Sequence, residues 1–299
     1  MSKVGLIGLG AMGSGMAGSL RRAGHSVQVF DVRREVAEAF AKDGGVAHDT
    51  LASLGAACDV VVSVVVNAAQ TEAVLFGDGT TPGCAASMKP GSVFVMCSTV
   101  DPNWSVALES RLEAMDLRYV DAPISGGAAK AASGQMTMMT AGKPEAYALA
   151  EPFLNAMAAK VYKLGDSAGA GSKVKIINQL LAGVHIAAAA EAMALGLREG
   201  VDAEALYEVI TNSAGNSWMF ENRMAHVLAA DYTPLSAVDI FVKDLGIVLD
   251  MARASKFPLP LSSTAHQMFM QASTAGFAKE DDSAVIKIFP GIELPKGKA

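Results

Sequence analysis

Apolar residues gather in short β-branched runs at 3–7, 26–30, 59–66, 92–97, 118–121 and 135–141, and segments of helical composition separate most of these runs. Alternation of this kind predicts a parallel sheet, because parallel neighbours need crossover connections and are covered on both faces. Val60 to Val66 fits such a strand, with only Ser63 interrupting its apolar character. Residues 1–165 are therefore predicted to be a doubly wound α/β domain.

The pattern changes after Gly165. From Gly171 to Glu199 there is no proline, and only Gly183 and Gly196 interrupt the run, so a single helix of roughly 40 Å is expected. It is apolar on nearly every side, which predicts burial between domains or between subunits. His185 and Glu191 in its middle make it a protein-buried helix rather than a membrane span, since buried polar groups are costly in lipid. Gly200 ends the helix, Asp202 is placed to cap the next, and 203–213, 217–229, 236–255 and 259–276 also read as helices. Residues 166–299 are thus predicted to be an all-helical second domain, joined to the first by the long helix.

Composition narrows the class of activity. At 299 residues the chain can hold two domains with a cleft, and a net charge of -6 offers no basic stripe for nucleic acid. Cys58, Cys84 and Cys97 are odd in number and form neither a CxxC pair nor a zinc spacing, so they read as reduced, packed thiols with no metal. No charged leader precedes the first apolar run, and with the reduced thiols this implies the cytosol.

Three motifs carry candidate chemistry. GLGAMG, Gly8 to Gly13, follows the first strand and opens a helix running to Gly24. Gly8 permits the turn, Gly10 lets backbone approach a pyrophosphate, and Gly13 lets helix and strand pack closely, with Ala11 and Met12 in the same loop. Asp31 ends the second strand 18 residues beyond Gly13 (31 minus 13), close to the ~20 expected of an acid that binds a ribose 2'-hydroxyl. Together these predict a Rossmann-type NAD site, and a carboxylate at that point favours NAD over NADP. Arg33 and Arg34 just beyond read as a solvated helix start.

In DAPISGG, Asp121 to Gly127, a strand end is followed by Pro123, a Ser125 hydroxyl and the N–H groups of Gly126 and Gly127. These donors can cradle a carboxylate, although an ordinary turn has the same composition. In GAGSKVKIIN, Lys175 and Asn178 stand three apart on one helix face. Lys175 lies among Val174, Ile176 and Ile177, where desolvation favours a neutral amine able to take a hydroxyl proton, whereas Lys173 points about 160 degrees away. On chemistry alone a lysine so placed is more often a snorkelling surface residue than a catalyst.

With KDLG at Lys243 to Gly246, these motifs occur in an order that resembles the β-hydroxyacid dehydrogenases, the group containing 3-hydroxyisobutyrate dehydrogenase and tartronate semialdehyde reductase. The resemblance covers the whole chain. It implies Lys175 as catalytic lysine, Asn178 orienting the substrate, Ser125, Gly126 and Gly127 holding its carboxylate, and Lys243 near the nicotinamide. It further implies Val66, Asn67 and Thr71 on the adenosine side and Thr99 beside the nicotinamide ribose. Asn67 departs from the proline common there, and Gln179 from a second asparagine. NAAQTEAVLFG, NSAGNSWMFENR and SAVDIFVKDLG are similar to members that act on a four-carbon polyhydroxy acid, for which His185, Asn212, Ser213, Asn216 and Ser217 supply candidate hydroxyl partners. The implied assembly is a homodimer or homotetramer. A non-catalytic dinucleotide sensor would keep the glycines and Asp31 but would need no Lys175.

Overall fold

The computed structural model describes residues 2–297. Contacts divide the chain into two compact units, one ending at Lys175 and the other starting at Ile176.

In chain order the first unit comprises β1 (Val4–Ile7), α1 (Gly13–Arg22), β2 (Val27–Phe30), α2 (Arg34–Lys42), β3 (Val46–Ala47), α3 (Leu51–Ala57), β4 (Val60–Ser63), α4 (Ala68–Phe76) and β5 (Val93–Met96). There follow α5 (Pro102–Glu113), β6 (Arg118–Asp121), β7 (Ile124–Ser125), α6 (Gly127–Ser133), β8 (Met136–Thr140), α7 (Pro144–Met157) and β9 (Ala158–Lys163). Six strands form a parallel sheet in the order β3-β2-β1-β4-β5-β6. Side chains of successive strand residues point to opposite faces: Val60, Val62, Val93 and Val95 join one core cluster, and Val61, Phe94 and Met96 join another. Burial on both sides explains why these strands lack polar alternation.

The run at 135–141 is a strand, but it lies outside the main sheet. It becomes β8, antiparallel to β7 and parallel to β9, in a three-stranded sheet of its own. An Asp121–Ala141 bridge ties this sheet to the end of β6. Residues of β3 take the sixth place in the main sheet instead; with only two residues and an exposed Val46, this strand leaves no hydrophobic run to read.

The second unit contains most of α8 (Ala170–Arg198), then α9 (Ala203–Thr211), α10 (Trp218–Ala229), α11 (Val238–Ala254), α12 (Pro260–Ala272) and a 3-10 segment at Asp282–Ile288. Gly200 adopts a positive φ of 78° after α8, and Asp202 accepts the Ala205 N–H at 2.9 Å as the cap of α9. The expected helix at 259–276 is α12 continued by a π-helical turn, Ser273–Phe277, within which Gly276 leaves helical geometry with a φ of 101°. By length and composition α8 could cross a membrane. Its burial is less complete than its composition predicts, because Ile177, Leu181 and Leu195 are exposed in the single chain.

The sequence put the domain boundary at 165, where the strand signal stops. The first unit extends ten residues further, to Lys175 (175 minus 165), because the first turn of α8 is bonded to the end of β6. Cys58, Cys84 and Cys97 are buried free thiols; burial pushes Cys58 and Cys84 up to about 12 and Cys97 higher, so all three are inert packing groups.

Candidate active site

The carboxyl ends of the parallel strands carry most of the expected residues. Gly8 follows β1 with a φ of 92°, and a Cβ there would come 2.5 Å from the Val64 carbonyl oxygen. A Cβ on Gly13 would overlap the Gly8 carbonyl oxygen, whereas one on Gly10 would meet nothing within 4 Å. The three glycines therefore do different work: turning the chain, leaving open space, and letting α1 pack against the loop. No side chain caps the start of α1, where the Ser14 N–H donates to the Gly10 carbonyl at 3.1 Å. Strand order reverses between β1 and β4, the switch point at which open parallel sheets bind nucleotides.

Asp31, just past β2, is buried and already engaged. Its Oδ2 accepts the Leu9 N–H at 2.6 Å and its Oδ1 the Arg33 N–H at 2.8 Å. Burial acts to raise its pKa, but these N–H donors and the Arg33 side chain outweigh it and hold the carboxyl below its ordinary value. Arg34, as expected of a solvated helix start, is exposed and paired with Glu38 and Asp49.

Val66 is exposed beyond β4, and Asn67 caps α4 by accepting the Gln70 N–H at 2.8 Å, a bond proline could not make. Thr71 is fully buried, its hydroxyl donating to the Asn67 carbonyl at 3.0 Å and lying 3.2 Å from Ser98 Oγ, so it braces the loop at Asn67. Thr99, part-exposed, follows β5. Ser125 of β7 pairs with Thr137 of β8, and Gly126 and Gly127 open α6 with φ of 137° and 75° and no side-chain cap. Gly15 of α1 packs on the α6 backbone at Ala131 and Ala132, and Ser19 Oγ donates to the Ala131 carbonyl at 3.0 Å. The helix behind the glycine loop and the helix that starts at Gly127 are thereby locked together.

Lys175 and Lys173 part company as the helical geometry requires: Lys175 is 7% exposed, whereas Lys173 is on the surface. Sequence reasoning missed what holds this helix. Asp121 is fully buried; its Oδ2 accepts N–H groups of Gly169 and Ser172, both at 2.9 Å, and its Oδ1 the Ser172 hydroxyl at 2.7 Å. Burial raises the Asp121 pKa against the pull of these donors. Glu109 takes the Ala168 N–H at 3.2 Å, and burial raises its pKa as well.

The second unit gathers its own polar chain. Asn178 Nδ2 donates to Gln179 Oε1 at 3.1 Å, Gln179 Nε2 donates to Asp244 Oδ2 at 2.6 Å, and Lys243 Nζ lies 2.5 Å from Asp244 Oδ1. The longer Gln179, where an asparagine was the pattern, is what spans to the buried Asp244. Of the candidate hydroxyl partners, Asn212 and Ser213 bond the last turn of α9, Ser217 caps α10, and His185 is exposed. Asn216 donates to Thr211 yet keeps a buried Oδ1 with no hydrogen-bond partner among the described residues. Two concavities of the first unit, which share Ser2 and Leu149, lie at the opposite, amino ends of the strands, away from this chemistry.

Residues 3–165 match the NAD binding domain of 6-phosphogluconate dehydrogenase, and residues 169–289 match the NAD-binding domain of NADP-dependent 3-hydroxyisobutyrate dehydrogenase. The chain is 68% identical to an L-threonate dehydrogenase of Cupriavidus necator over 99% of its length and 98% of that enzyme. It is 52% identical to one from Escherichia coli, over 99% and 97%. A crystal structure of a 3-hydroxyisobutyrate dehydrogenase from Salmonella typhimurium superposes with a TM-score of 0.92 at 52% identity, covering 97% of this chain and all of that one. The chain belongs to the 3-hydroxyisobutyrate dehydrogenase-like family of β-hydroxyacid dehydrogenases, and it is an NAD-dependent hydroxy-acid dehydrogenase.

Proposed function

We propose that the protein oxidises L-threonate at C2 to 2-oxo-erythronate, with Lys175 as general base. The substrate is supported by the full-length similarity to L-threonate dehydrogenases. Burial of Lys175 beside an exposed Lys173 is the observation that carries the base.

Ser125 and the N–H groups at the uncapped start of α6 hold the substrate carboxylate. Lys175 takes the proton from the C2 hydroxyl. NAD, when bound, would supply the acceptor for the hydride lost from the same carbon. The open space at Gly10 and the uncapped start of α1 fit its pyrophosphate, and Asp31 suits its ribose. Val66, Asn67 and Thr99 line the cofactor edge; Asn178 orients the substrate, and Lys243, paired with Asp244, serves the nicotinamide end. The protein is a cytoplasmic homo-oligomer.

A 3-hydroxyisobutyrate substrate is the second reading, favoured by the name of the Salmonella typhimurium relative. Steady-state rates on the two acids with NAD separate them, because a wall that bonds hydroxyls can reject a deoxy analogue by about ten-thousand-fold. A preference for 3-hydroxyisobutyrate sinks the threonate assignment. Lys175→Ala is expected to abolish turnover while still binding NADH; appreciable residual activity refutes the base.

A further inference from the structure

We propose that Asp121 and Ser172 are positioning residues that set where Lys175 stands relative to the carboxylate cradle at Ser125 to Gly127, an inference that rests on Lys175 being the base.

Asp121 is the last residue of β6 and stands four residues before Ser125 (125 minus 121). Its backbone exchanges two hydrogen bonds with Ala141, at 2.9 and 2.8 Å, which join the two sheets at this point. Its side chain accepts three donors from the start of α8. One residue therefore fixes the strand that leads into the cradle, the neighbouring sheet and the helix that bears the base.

The contact also blocks sliding. A Cβ on Gly171 would overlap the Met139 carbonyl oxygen and lie 3.0 Å from the Asp121 carbonyl oxygen, so the first turn of α8 is seated backbone to backbone. Ser172 precedes Lys175 by three residues, less than one turn. A shift of one residue in the seating of the helix would swing Lys175 by about 100 degrees, and a displacement of about 1 Å at a reacting group can cost on the order of a hundredfold in rate.

Stability alone does not call for this arrangement. A helix start is satisfied by a local serine, threonine or aspartate at the surface, as Asp202 does for α9. Here the cap is a fully buried carboxylate from 51 residues upstream, which carries a desolvation cost that a surface cap avoids. What the distant cap adds is a fixed relation between two segments of the site.

The test compares Asp121→Asn, Ser172→Ala, Ser172→Thr and Glu109→Gln, assayed with NAD and L-threonate, or with 3-hydroxyisobutyrate should that be the acid turned over. Asp121→Asn is expected to lower kcat by roughly 30-fold with both KM values within about threefold and NADH affinity unchanged, the mark of misplacement rather than lost binding. Ser172→Ala should lower kcat by roughly fivefold, and Ser172→Thr, which keeps the hydroxyl, should restore it. Glu109→Gln touches the preceding loop only and should lower thermal stability with kcat within about twofold. A kcat within about twofold of the parent in Asp121→Asn overturns the proposal, as does an equal loss in Glu109→Gln. Should Asp121→Asn not fold, the Ser172 pair decides, and equal kcat in the two overturns it. Lys175→Ala separates the premises: retained turnover there removes the base itself, whereas an inactive Lys175→Ala beside a normal Asp121→Asn removes only the positioning role.

Discussion

The carboxylate of Asp31 accepts the N–H of Leu9 at 2.6 Å, so the acid proposed to bind the nucleotide ribose also shapes the glycine loop proposed to face the pyrophosphate. Asp31→Ser should consequently act twice. It should raise KM for NAD by roughly tenfold or more, the loss of about 1.5–3 kcal/mol expected for a hydrogen bond to a charged group. It should also narrow the preference for NAD over NADP, and an unchanged ratio would remove Asp31 from the ribose site. The depressed pKa adds a pH signature: with the folded value below the unfolded 3.8, the stabilising contribution is present above that pH and is lost as pH falls through the folded value. Urea unfolding at pH 5 and pH 3 should show the gap between parent and Asp31→Asn closing at the lower pH.

The glycine loop offers a cleaner separation of folding from binding. Gly10→Ala places its methyl in open space and should leave the melting temperature near the parent value, while NADH affinity falls by roughly tenfold, about 1.4 kcal/mol. Gly8→Ala combines a φ of 92° with an approach of 2.5 Å to the Val64 carbonyl, and should destabilise the fold by about 1–3 kcal/mol. Fluorescence titration and thermal melts read the two effects. Unimpaired NADH binding in Gly10→Ala would mean that the cofactor does not approach there.

These features were legible to different degrees for a physical reason. Gly8, Gly10, Gly13 and Asp31 act through local turns and fixed spacings, which a single chain displays directly. Strands β1, β2, β4, β5 and β6 were legible because two-sided burial makes them continuous apolar runs. The pairing of β8 in a second sheet was not, since nothing local in Met136–Thr140 says which strand lies beside it. Asp121 appeared only as part of a turn motif, because its partner Ser172 is 51 residues away and neither residue type is unusual where it stands. Gln179 read as a departure from pattern until Asp244, 65 residues on, supplied its partner. Lys175 was ambiguous for a related cause: its burial depends on packing that its own flanking residues do not determine.

Self-association should depend on α8. Ile177, Leu181 and Leu195 are 54%, 51% and 62% exposed in the single chain, at helical spacings that align them along one side. Glutamate at both Leu181 and Leu195 should lower the sedimenting mass to that of the single chain with little change in helix content. A parent-sized assembly in the double variant would place the contact elsewhere.

The second unit is held at its C-terminal end by a buried ion pair. Arg223 on α10 grips Asp282 through two hydrogen bonds, Nε to Oδ1 and Nη2 to Oδ2, the latter at 3.1 Å. The ion pair favours both charged forms and burial opposes both. Burial prevails at Asp282, pushing it up to about 6 despite the guanidinium, whereas the pairing prevails at Arg223, whose pKa is raised. Because the folded value of Asp282 exceeds the unfolded 3.8, the folded state binds the proton more tightly, so stability falls as pH rises from 3.8 to about 6 and is level above. Arg223→Leu strands a buried carboxylate and should cost about 3–5 kcal/mol near neutral pH. Without the guanidinium the carboxyl titrates higher still, so the window of falling stability extends upward and the loss should be smaller at pH 5 than at pH 8. Urea unfolding at the two pH values checks this; an equal loss at both would mean that removing the guanidinium leaves the titration of Asp282 unchanged, and no loss at either would deny the pair its role in holding the 3-10 segment to α10.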